Sequence, residues 1–306
     1  MKIPERSTNT VFMKRILVPI DFSGHTDITC TYALELAGKE ITEIRLFHTY
    51  SDPVILTDRN FPDTIDMSTM YNEELLKEVF HQAEKKMELL LESLGEKLRK
   101  SNRNNIKLQS TVVGGMIDRE LRDLCLEFHP DLVVMGTRGS GKSLQMWGKV
   151  STYIINHAKV PVLTVPEINK FLGFKEIMLS ADPPEQVAGS VRKILELFSG
   201  FNFHLTCIQF VIKEEKTEDK EKLEKLRKKF EAEEKSGNIA FRSLVVTGER
   251  QKAINQVVQK LSTDLIAFQP HKHGLLFNLF KRKITRKNLQ ATNIPLLALP
   301  EVEDRK

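Results

Sequence analysis

The chain has 306 residues, 41% of them hydrophobic and 28% charged, which suits about two ordinary globular domains and excludes a disordered or collagen-like chain. No apolar run approaches the roughly 20 residues that span a bilayer, and residues 1–15 lack the apolar core of a secretory signal, so a cytoplasmic protein with no membrane partner is expected. The net charge of +5 is too small to imply nucleic acid by itself, and its location matters more than its size.

In chain order, KRILVPI (14–20) predicts a strand, and residues 24–39 a helix with Ala33, Leu34, Leu36 and Ala37 on one side. IRLFHTY (44–50) predicts a second strand. Residues 51–71 have no period and read as a long surface loop, a candidate lid. Residues 72–100 form an amphipathic helix with Ala83, Met87, Leu94 and Leu98 at three- and four-residue steps. A strand at 107–113, a helix at 117–128, a strand at 131–136, a helix near 149–158 and a strand at 161–165 complete five strands in about 155 residues. Fully apolar strands alternating with helices predict an α/β fold with a parallel sheet covered on both faces.

The second half repeats the first. Residues 244–269 lie over 111–136, with Gly248 on Gly115 and Asp264 on Asp131. IPLLALPE (294–301) lies over VPVLTVPE (160–167), and KEIMLSADPP (175–184) over KRILVPIDFS (14–23) with Asp182 on Asp21. Self-similarity over a whole domain means duplication. It sets the expected domains at 1–167 and 173–301. Residues 213–236 carry nine basic and nine acidic residues, a solvated helix anchored by Leu223, Leu226 and Phe230, with favourable pairs Glu221–Lys225 and Glu224–Lys228.

The strongest chemical signal is MGTRGSGKSLQMWGKVS (135–151), after an apolar strand and before a helix. Ligands of doubly wound sheets bind beyond such strand ends, where glycines admit close phosphate approach and helix N-termini donate N–H groups. Residues 136–143 match the Walker A pattern, with Lys142 and Ser143 as phosphate and magnesium ligands. The later strand PVLTVPE carries no metal-binding Asp, which weakens a P-loop NTPase.

Gly136-x-x-Gly139, then Gly148 after eight residues, together with ILVPIDFS, the PVLTVPE ending and the duplication, resembles the universal stress protein family, here as a tandem two-domain member. ATP-binding members of that family carry G-2x-G-9x-G-(S/T). The resemblance implies two five-stranded nucleotide-binding-like domains joined through their last strands, 161–165 and 295–299, as an internal pseudo-dimer, with homodimers as the single-domain counterpart. It implies ATP or another adenine nucleotide, with Mg2+ accompanying it, and no dedicated catalytic group. By position, Asp21 and Thr49 would contact the nucleoside, Gly136, Arg138 and Gly139 would form the turn at the ribose and phosphates, and Gly148, Lys149, Val150 and Ser151 would cradle the phosphates. The chain departs twice: the spacer is eight residues, and Lys149 stands where Ser or Thr is expected. Asp21 also reads as a cap of the helix starting at Ser23 or Gly24. Trp147 reads as a packing residue, and His48 and His157 as core histidines. A protein-interaction module with a vestigial site is the other alternative.

In the second copy Gln269 and Lys272 replace the first two glycines, so no nucleotide is expected there. His271 and His273 lack the acid or Cys neighbours of a metal site. Residues 265–300 contain six Lys or Arg and no acid, which reads first as a solvated surface patch at a helix end and second as a site for a protein partner or anionic ligand at 272–287; no RNA or DNA motif accompanies them. Cys30, Cys125 and Cys207 are odd in number and far apart, against disulfides or zinc.

Overall fold

Short runs rich in Val, Ile and Leu build ten strands in one sheet. The computed structural model describes residues 13–50, 73–137, 154–155, 158–166, 171–181, 184, 187–212, 217–246, 250–270 and 294–300. The strands of the first half are β1 (Lys14–Pro19), β2 (Thr42–Tyr50), β3 (Ile106–Gly114), β4 (Leu132–Gly136) and β5 (Val162–Val165). Those of the second are β6 (Glu176–Ser180), β7 (His204–Ile212), β8 (Ile239–Val246), β9 (Leu265–Phe268) and β10 (Leu296–Ala298). The order is β3-β2-β1-β4-β5-β10-β9-β6-β7-β8. All pairs within a half are parallel; the seam, Leu163 opposite Leu297, is antiparallel. Two tandem five-stranded domains thus form the expected internal pseudo-dimer, each covering the other's last strand.

The helices are α1 (Thr26–Ala37), α2 (Glu73–Lys100), α3 (Ile117–Phe128), α4 (Ala188–Leu197), α5 (Thr217–Lys229), α6 (Glu231–Lys235) and α7 (Arg250–Leu261). Strand residues alternate between two apolar layers. Ile16 and Val18 join the layer holding Leu36, Met87 and Leu94, whereas Leu17 joins Leu121, Leu124 and Val133 on the other face. Both layers cross the seam, one through Leu163 and Leu297, the other through Val162 and Leu296.

Several expectations change in detail. The first helix starts at Thr26, not Ser23, because the chain leaves β1 through a turn. The charged segment is two helices, broken at Phe230, whose ring is buried and stacks 6.3 Å from Phe241. Leu223 and Leu226 anchor it as expected, and Glu224 pairs with Arg227 at 3.2 Å. Residues 51–71, the candidate lid, lie outside the described residues.

The seam is reinforced by one buried lysine. Lys14, 4% exposed, donates to the carbonyl oxygens of Leu36 (3.2 Å) and Leu197 (2.7 Å) and pairs with Glu40 (3.3 Å). Leu36 and Leu197 occupy matching places in α1 and α4, so one ammonium ties the ends of both helices. Burial lowers the Lys14 pKa, with Glu40 partly opposing the shift. Beside it, Tyr32 meets Phe171 edge-on at 4.9 Å, and Phe171 packs on Phe174 and Phe201.

Candidate functional site

In the first domain the strand order reverses direction between β1 and β4, the place where open α/β sheets bind ligands. The registers Pro19–Phe47 and Leu17–Val133, continued past the strand ends, set Asp21 level with Thr49 and Thr137. Gly136 closes β4 beside Val165. Asp21, Thr49 and Gly136 therefore share one edge of the sheet, as the sequence spacing anticipates.

The turn after β1 is built tightly. The Asp21 Oδ1 accepts from the Ser23 N–H at 3.0 Å, so its carboxylate closes a turn rather than capping α1. The cap position belongs to His25, which makes no side-chain capping bond. Phe22 is held at φ 55°, a left-handed conformation that costs a bulky residue about 1–3 kcal/mol. Its ring packs 4.5 Å from that of His48, and the Lys86 ammonium lies 5.9 Å from its centroid. His48 Nδ1 is 2.9 Å from the Ile20 carbonyl, the bonded histidine its apolar setting predicts.

Gly136 has a packing reason of its own. A Cβ there would lie 2.9 Å from His25 Nδ1 and 3.3 Å from Thr29 Oγ1, so only glycine lets the start of α1 approach β4 this closely. His25 is 4% exposed. His25 and Phe22 follow the end of β1, and the one signal in the sequence is two ring residues within six positions of that strand. Gly115, visible only as a repeat marker, has φ 140° at the end of β3, and its N–H donates to the Tyr50 carbonyl at 3.0 Å. Its backbone thereby lies on the same sheet edge as Thr49.

Arg138, Gly139, Gly148, Lys149, Val150 and Ser151 lie outside the described residues, as do Lys142, Ser143, Trp147, His157, Asp182 and the basic segment 272–287. No cluster of three or more metal-ligating side chains occurs among the described residues. Burial keeps the thiols protonated near neutral pH, pushing Cys30 up to about 12 and the less buried Cys125 up to about 11, and raising Cys207 further. At the place of Gly136 the second domain carries Gln269, a buried side chain directly after β9.

The sequence model of the universal stress protein family matches residues 13–166, about half of the chain. The chain belongs to the universal stress protein family. Among curated proteins none matches it significantly. A universal stress protein from Archaeoglobus fulgidus DSM 4304 is similar in structure at 16% identity, with 95% of this chain and 97% of that one covered and a TM-score of 0.62. A provisionally assigned universal stress protein from Pseudomonas aeruginosa UCBPP-PA14 covers 94% of this chain and 93% of its own at 13% identity and a TM-score of 0.58. At such identities the likeness speaks for the fold, and in both cases it extends over both halves of the chain. No helix among the described residues is long and apolar enough to cross a membrane.

Proposed function

We propose that this universal stress protein binds an adenine nucleotide, ATP foremost and with Mg2+, in its first domain alone. It would act in the cytoplasm as a stress-associated binding or regulatory protein, not as an enzyme. The observation that carries the reading is the common level of Asp21, Thr49 and the Gly136 exit beside the reversal of strand order. Asp21 and Thr49 would hold the nucleoside. Arg138, Gly139, Gly148, Lys149, Val150 and Ser151 would meet the phosphates from the following loop, with Lys149 supplying charge where a hydroxyl is usual. The domains would run over 1–167 and 173–301. The second is silent because Gln269 fills the place of the first glycine. Its basic segment 272–287 would serve a protein or anionic partner.

Calorimetric titration of ATP into the full chain tests this. One site per chain is expected, abolished by Gly139→Val and weakened at least tenfold by Asp21→Ala. Silence at millimolar ATP, or two equal sites, rejects the proposal. Turnover that vanishes in Lys142→Ala while ATP still binds would favour an NTPase instead.

A further inference from the structure

A cavity of about 420 Å³ lies between α3 and Ile154, Ala158, Lys159 and Val160, on the face of the sheet that carries α3. Its walls are Leu121, Cys125, Leu126, Ile154 and Val160. It runs from Asp118 in the first turn of α3 to His129 just past its end. At 1.5 Å per residue that is roughly 16 Å of helix. The volume falls in the range of small-molecule sites, and the lining is mainly apolar. It is distinct from the nucleotide crevice, because His129, Pro130 and Lys159 stand at the amino ends of β4 and β5, not their carboxyl ends.

Two observations identify the occupant. Arg122 and Lys159 line the cavity as cations, with His129 as a hydrogen-bonding group, against Asp118 as the acid among the described lining residues. Arg122 touches Asp123 at 3.5 Å, and both are exposed, so its charge stays available. The second domain supplies an internal control. At the matching positions Leu121 and Cys125 become Ile254 and Val258, which preserves the packing. Arg122, Leu126, His129 and Lys159 become Asn255, Gln259, Ser262 and Asn293, and Asp118 becomes Gln251, so the second copy keeps the packing residues but none of the charged groups or the most exposed apolar wall. Leu126 is 64% exposed, an apolar side chain that packing within the chain does not require.

We propose that this cavity binds an anionic amphiphile, a straight-chain carboxylate whose tail lies along α3 past Arg122 and whose head meets Lys159 and His129 at the far end. Equilibrium dialysis of the full chain with radiolabelled dodecanoate, below micelle formation, should give one mole bound per chain. Dodecyltrimethylammonium, with the same tail and opposite charge, should bind at least tenfold more weakly. The combined variant Arg122→Asn, Leu126→Gln, Lys159→Asn takes the second domain's residues at exposed positions. It should melt as the parent does and bind dodecanoate at least tenfold more weakly. Cys125 gives an independent readout, since Cys30 and Cys207 are buried: dodecanoate should slow its alkylation by N-ethylmaleimide. The proposal is overturned if binding does not saturate, if the cation binds as well, if the variant binds unchanged, or if sedimentation shows the ligand-free chain paired through α3.

Discussion

Asp131 and Asp264 occupy matching places in the duplicate and perform the same task. Asp131 accepts from the Arg15 N–H at 2.9 Å, and Asp264 from the N–H groups of Lys175 and Glu176 at 2.8 and 3.0 Å. Each stitches the loop before one strand to the start of its neighbour, so both are structural anchors. Asp131→Ala should lower stability by about 1–3 kcal/mol and Asp264→Ala by more, because two donors lose their acceptor; urea unfolding of both variants checks the order. Their equivalence was legible as a repeat. Their partners were not, because a bond between a side chain and a backbone 116 residues away leaves no local pattern. The left-handed residues at φ 49° and 51°, His129 and Ser262, also coincide in the two copies and end α3 and α7. Ser262→Gly should raise the thermal midpoint, since glycine adopts that conformation without strain.

Elements with a strong period were read nearly to the residue. The helix expected at 117–128 is α3, because Leu121, Leu124 and Phe128 recur on one face and bury together. The break between α5 and α6 escaped notice because charged residues run through it without Gly or Pro. It follows from Phe230 turning inward, a tertiary preference invisible in the charge pattern. Of the site, the strand exits bearing Asp21, Thr49 and Gly136 were legible from their register, whereas the αL turn at Phe22 and the buried His25 were not, since nothing in an aromatic residue announces positive φ. The energetics of α5 divide the same way. Leu226→Ala should cost about 2–5 kcal/mol in chemical denaturation, while removing the exposed Arg227, bonded to Glu234 at 2.6 and 2.8 Å, should have a small effect that disappears in molar salt.

Across the whole molecule the two halves are alike in plan but not in the seam. Lys14 is buried there, whereas its counterpart Lys175 is exposed. A lysine whose folded pKa is lowered binds fewer protons in the native state, so its contribution to stability rises as pH climbs from the lowered value to the ordinary 10.5 and is lost as pH falls. The parent should therefore gain stability relative to Lys14→Met through that alkaline window, measured by urea unfolding across pH. Residues 1–170 made alone should self-associate, because β5 would lose β10; sedimentation showing a stable monomer would contradict this. The same pairing sets a schedule for synthesis. The partner of β5 is Leu296–Ala298, with Leu296 lying 132 residues beyond Thr164 in the chain. At 5–20 residues per second, roughly seven to twenty-six seconds separate the two strands. Throughout that interval the first domain waits with its inner edge unpaired, so a slowed ribosome leaves the nascent chain open to a neighbouring copy on the same messenger.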